Sequence, residues 1–195
     1  MPTRKQRHIY SGRLLRISLL GGSPEWTAAL RRHPAAAGTV TAALAVCTCV
    51  PYAGFPALFL AALLCGTFYA GNEPLQLVLL PETGAARFLA QKTSTAWRNY
   101  FLLSLPFAVL NLILWPGTAW MAAAWVPSAA LALFYFVTAK YACYEPRRAA
   151  RRPLAAKLGV AGFLVPLLLP LSLCLLVSYT LRAERNLNRY LHDYD

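Results

Sequence analysis

Residues 71–98 hold the side chains best suited to recognition in this chain: Glu73, Glu82, Arg87 and Lys92, set among Leu79, Leu80, Pro81, Phe88 and Leu89. Charged groups alternate with apolar anchors, and Pro74, Pro81 and Gly84 cut the segment into short pieces. A short amphipathic helix of this kind either acts as a lever for a soluble partner or lies in the lipid interface, and the residues support both readings equally. On the lever reading, Leu79-Leu80-Pro81 and Phe88-Leu89 fill a groove on the partner, while Glu82, Arg87 and Lys92 stay at its rim and contribute little each. Leu80-Pro81-Glu82-Thr83-Gly84 also matches a sortase sorting signal. Such a signal lies near a C-terminus, ahead of an apolar run and a basic tail, on the outer face of a membrane. Here it sits mid-chain with further apolar runs to come, and is a coincidence.

Catalytic chemistry finds no foothold elsewhere. His8, His33 and His192 are scattered, so no nucleophile, base and orienting group can be assembled. Cys47 and Cys49 are two apart and point to different sides of a helix. With Cys65, Cys143 and Cys174 they read as small packing residues, neither a metal site nor a disulfide framework. No Gly-rich phosphate loop ending in Gly-Lys-Ser/Thr is present. The expectation is a non-enzyme without cofactor or metal. Asn111 is the costliest polar residue to bury in an apolar stretch, which makes it a candidate for a transport pathway; an interhelical hydrogen bond is its plainer role.

The elements that must position these residues are set by charge. Residues 34–72, 99–139 and 158–181 contain no Asp, Glu, Lys or Arg. A bilayer core about 30 Å thick takes about 20 helical residues to cross, so the first two stretches each suit a helical hairpin and the third one span. The chain is 58% hydrophobic and 13% charged, with mean hydropathy +0.46, and burying this in a soluble fold of 195 residues would leave little surface for water. The formal charge of +12 flanks the apolar runs, which points to membrane orientation and anionic lipid headgroups and away from nucleic acid. No ionizable side chain lies deep in a span, which argues against ion-coupled transport and intramembrane hydrolysis.

The fold expected is all-α: a single polytopic helical membrane domain of about five transmembrane helices, with an interfacial N-terminal amphipathic helix. Residues 1–33 are cytoplasmic by the positive-inside rule. In them Ile9, Leu14, Leu15, Ile17, Leu19 and Leu20 interleave with Arg13 and Arg16 before Gly21-Gly22, and Ser23-Pro24-Glu25 starts a second short helix. This N-terminus is too long and polar for a signal n-region. A first hairpin over 34–72 turns at 51–56, and the cytoplasmic segment 73–98 follows. A second hairpin over 99–139 turns at Trp115-Pro116-Gly117, and a basic cytoplasmic loop spans 140–157. The last span is 158–181 and the tail 182–195. If Pro166 and Pro170 break that span into two half-helices, the count becomes six and the tail stays inside.

Asn72-Glu73-Pro74, Leu79-Leu80-Pro81, Phe88-Leu89-Ala90-Gln91-Lys92, Leu105-Pro106, Lys140-Tyr141 and Tyr144-Glu145-Pro146 follow one another in an order that resembles the permease part of bacterial ABC exporters of the ABC-2 kind. The likeness is greatest to large permeases of the Bacteroidetes group and covers roughly 55–195, including the tail from Asn186 to Leu191. It implies that residues 71–92 are a coupling helix docking on an ATP-binding subunit, that the N-terminal helix is an elbow on the inner face, and that the location is the bacterial inner membrane. The chain has about half the size of such permeases, which implies a second permease chain or copy. The competing expectation is a small membrane scaffold or assembly factor with no transport path.

Overall fold

The computed structural model describes residues 23–146 and 154–191, and every described element is helical. The expected amphipathic helix around residues 9–20 and the basic centre of the 140–157 loop lie outside the described residues. Helix α1 (Pro24–Arg32) opens with proline in its first turn, beside Glu25, and closes on Arg31 and Arg32, each charge matched to the helix dipole. Helix α2 (Pro34–Thr48) follows after His33, and a turn through Tyr52, at φ 64, leads into α3 (Gly54–Cys65) and a 3-10 turn over Gly66–Tyr69. Pro74 precedes the short α4 (Leu75–Leu79). A turn with Glu82 at φ 47 then leads to α5 (Ala85–Leu114). Pro116–Thr118 joins α5 to α6 (Ala119–Ala142). Beyond the undescribed loop come α7 (Leu154–Leu164), a 3-10 turn over Pro166–Leu168 and α8 (Leu169–Leu191).

Two helical stretches are long and apolar enough to cross a membrane, Ala85–Leu114 and Pro116–Ala142. The other runs expected as spans form shorter helices. At about 1.5 Å per residue α2, α3 and α7 reach only about 16–23 Å, because Pro34, the 49–53 turn, Gly66 and Pro166 bound them. The segment expected as a cytoplasmic connection over 73–98 is divided: its second half is the opening of α5, which begins at Ala85.

The long helices pack through aromatic contacts. Trp125 of α6 lies 5.7 Å from Phe55 of α3 and 5.5 Å from Phe101 of α5, and its Nε1–H donates to Tyr100 Oη at 2.9 Å. Tyr100 in turn donates to the Leu58 carbonyl at 2.7 Å. Pro166 folds α7 back on α8: Ser172 Oγ donates to the Gly159 carbonyl at 2.8 Å, and a Cβ on Gly162 would collide with Ser172. Asn186 Nδ2 donates to the carbonyls of Tyr141 and Tyr144 at 3.0 and 2.8 Å, so the ends of α6 and α8 lie together. The described charges gather towards this end, while the turns at 49–53, 115–118 and 165–168 carry none.

Candidate functional site: a buried cluster of two carboxylates and two ammoniums

Four elements far apart in sequence meet at the charged end. Glu25 comes from the first turn of α1, Glu73 from the residues before α4, Lys92 from the second turn of α5 and Lys140 from the last turn of α6. Lys140 Nζ lies 2.6 Å from Glu73 Oε1 and 3.2 Å from Glu25 Oε1. Lys92 Nζ lies 3.0 Å from Glu73 Oε2 and 3.1 Å from Glu25 Oε1. Each ammonium therefore touches both carboxylates, and the cluster is neutral overall.

The surroundings exclude water and supply the remaining bonds. The side chain of Lys140 is 1% exposed and those of Glu25, Glu73 and Lys92 are 5%, 7% and 15% exposed. Tyr141 Oη donates to Glu73 Oε1 at 3.2 Å, Tyr144 Oη to the Glu73 carbonyl at 2.8 Å, and Ser23 Oγ to Glu25 Oε2 at 2.8 Å. Lys140 also sits over the rings of Tyr141 and Tyr69, at 5.2 and 5.8 Å. Burial pushes the Glu25 carboxyl up. The attraction of Lys140 and Lys92 and its own backbone N–H outweigh that, and hold it well below the usual carboxylate range. Burial, with Glu73 and Tyr190 nearby, pushes the Tyr144 hydroxyl up to about 12, so it remains a donor at neutral pH. Such an array binds helices together through charge and can rearrange by exchanging partners; it offers no free base or nucleophile.

The residues expected to meet a partner divide into two sets. Leu80 is 76% exposed, Glu82 and Arg87 are exposed, and Leu79 and Pro81 are half-buried. Phe88 and Leu89, expected as anchors in a partner's groove, are instead buried in the chain's own core, at 1% and 6% exposed. Phe88 meets Tyr141 edge-on at 5.3 Å, because Ala85 and Phe88 open α5 on its inward face. Glu73 and Lys92, the latter expected at a partner's rim, pair inside the cluster.

Asn111 is committed to structural bonds. It is fully buried, its Nδ2 donates to the Thr48 carbonyl at 3.2 Å, and its Oδ1 accepts from Thr118 Oγ1 at 3.1 Å. The α3 backbone approaches so closely that a Cβ on Gly54 would strike the Asn111 amide. This is the interhelical hydrogen bond, closing the uncharged end.

Sequence reasoning missed Glu25, Lys140, Tyr141 and Tyr144 as site members. Lys140 reads as the first residue of a basic loop and Glu25 as a first-turn acid; a signal was available for Lys140, which directly borders the charge-free run 99–139, and none for Glu25. Among the described residues no group of His, Cys, Asp and Glu is arranged to hold a metal ion. The chain matches no family model, no curated protein and no solved structure.

Proposed function

We propose that this chain is a non-catalytic membrane subunit of an ATP-driven exporter of the ABC kind, coupled to a separate ATP-binding subunit. The observation that carries the reading is an apolar ledge joined to the long helices by buried charge. Leu77 and Leu80 of the α4 region are 40% and 76% exposed, while Glu73, just ahead of them, is paired with Lys92 of α5 and Lys140 of α6. A partner pressing on the ledge pushes on both long helices through one cluster of ion pairs. The recognition anchors are then Leu77 and Leu80, with Pro81 between Leu80 and the exposed Glu82.

In this reading the chain is multi-pass in a bacterial inner membrane, with 1–33 and the 140–157 loop cytoplasmic. Helices α5 and α6 cross, α2 with α3 forms a short hairpin, and α7 with the start of α8 enters and returns, which keeps the tail on the cytoplasmic side. A second copy or second permease chain completes a transport path.

The alternative, a membrane scaffold or assembly factor, draws support from Asn111, whose polar atoms are consumed by structural bonds. Co-purification from the native membrane decides between them. Wild type is expected to bring down an ATP-binding protein, and Leu80→Asp to lose about tenfold of it, since removing an anchor from an interface costs about 1–2 kcal/mol. If no ATP-binding protein accompanies the wild type, the scaffold reading replaces this one.

A further inference from the structure

Helix α1 is held to the bundle chiefly by Trp26 and Glu25, with the half-buried Leu30 packed against the core. Trp26, 1% exposed, donates from Nε1 to Tyr69 Oη at 2.9 Å and meets Phe68 edge-on at 5.0 Å. Glu25 reaches Lys92 and Lys140 at 3.1 and 3.2 Å. The rest of the helix, residues 28–32, is half-buried or exposed. Glu73 is held by more: both ammoniums, the Tyr141 hydroxyl, and the Tyr144 hydroxyl on its own carbonyl. The two carboxylates are therefore unequal, Glu73 held by more bonds within the bundle and Glu25 carried on a helix whose outer face is exposed.

Removing Glu25 leaves each lysine with Glu73, but the cluster then carries two positive charges against one negative. It also opens towards a cleft. Pro24, at the head of α1, forms one wall of a hollow of about 170 Å³ whose other walls include Leu77, Leu80, Pro81, Phe88 and Lys92. Lifting α1 would thus join a cleft that is apolar on its Leu77, Leu80 and Phe88 side and polar along Gln91, Lys92 and Thr95 to a pair of ammoniums already spaced around one carboxylate oxygen, Glu25 Oε1.

We propose that α1 is a releasable strap, and that Glu25 keeps the place of an acidic residue of a soluble partner. When α1 lifts, Lys92 and Lys140 accept a carboxylate from a partner segment whose apolar side chain enters the cleft beside Leu77 and Leu80. Charge complementarity selects this occupant: the vacated position is carboxylate-sized, needs one negative charge, and adjoins an apolar wall. The partner's role rests on the exporter-subunit reading, but the strap does not.

The test uses the purified full chain in phosphatidylcholine nanodiscs with no partner present, so its failure is separate from failure of the co-purification above. The probe is a labelled peptide with the sequence of residues 23–32, and its counterpart with glutamine in place of glutamate. In Trp26→Ala, amide exchange in α1 is expected to rise at least about tenfold while that in α6 stays at the wild-type rate. The peptide is expected to bind Trp26→Ala at least about tenfold more tightly than wild type, whose own strap competes at an effective concentration on the order of millimolar. The glutamine peptide should bind about tenfold more weakly, as should the glutamate peptide to Trp26→Ala that also carries Leu80→Asp. Glu25→Gln, which leaves Trp26 packed, is expected to loosen α1 in the same direction. Unchanged α1 exchange in both variants, or equal binding of the two peptides, overturns the proposal. Loss of peptide binding when phosphatidylglycerol is added would make a lipid headgroup the occupant, and would overturn the partner's part in it.

Discussion

The two ends of the bundle solve the same problem with different chemistry. At the charged end, Glu25, Glu73, Lys92 and Lys140 join α1, the segment before α4, α5 and α6 through four ion pairs. At the uncharged end, the amide of Asn111 joins the end of α2 to the α5–α6 turn through Thr48 and Thr118. The amide is neutral whichever partner it has, so losing one bond leaves one unmet polar group. The charged cluster is neutral only as a whole, so losing one member leaves a net charge in a buried place. An amide suits a fixed joint, and mutually paired charges suit a joint whose parts can change partners.

The largest expected effect breaks the charged end. Lys140→Met leaves two carboxylates facing Lys92 alone, and should lower unfolding stability by about 3–5 kcal/mol, measured by denaturant titration in detergent micelles. Adding Glu25→Gln to Lys140→Met should return part of that loss, because the count of charges balances again; a purely additive double variant would show that the four do not act as a unit.

At the other end Asn111→Leu is expected to cost less, about 1–3 kcal/mol in the same titration. It strands the Thr48 carbonyl, while Thr118 Oγ1 keeps its 2.7 Å bond to the Trp115 carbonyl. A loss as large as that of Lys140→Met would erase the distinction between the ends.

Acid separates them further. The folded Glu25 carboxyl is held below its ordinary value of 4.5, so its contribution is present above pH 4.5 and drains away as pH falls towards the lowered value. One proton taken up on unfolding corresponds to a slope of at most about 1.4 kcal/mol per pH unit. Stability measured from pH 5 downward should show this slope in the wild type, shallower in Glu25→Gln, and unaltered in Asn111→Leu.

The smallest effect is expected where a charge is only decoration. Arg87 is exposed at the start of α5, and Arg87→Ala should change stability by no more than about 0.5 kcal/mol. A larger loss would place Arg87 in a network with the cluster.

Much of the helical layout was legible in the residues. Pro24, Pro34, Pro74, Pro116 and Pro166 stand at or beside element starts because proline's missing N–H is harmless there. The break at Pro166 was readable, and so was the exposure of Leu80, which lies beside Pro81 where α4 has already ended. Helix length was less so: Lys92 and Arg98 suggested a connection, yet they lie within α5, where Phe88, Ala96 and Tyr100 supply a continuous buried face. A charge near a helix start is compatible with either state, and the face opposite decides.

The sequence by itself determined a helical fold with three long charge-free runs and its charges confined to the connections between those runs; it led to an expectation of about five spans, where two helical stretches among the described residues are long and apolar enough to cross a bilayer. These are local properties, fixed by side-chain polarity and by proline and glycine geometry. Only the tertiary structure decided that Glu25 meets Lys92 across 67 residues and Lys140 across 115, and that Phe88 faces inward while Leu80 faces out. Periodicity says which residues share a face, but the pairing of charges depends on which faces are brought together, and that is set by the packing of the whole bundle.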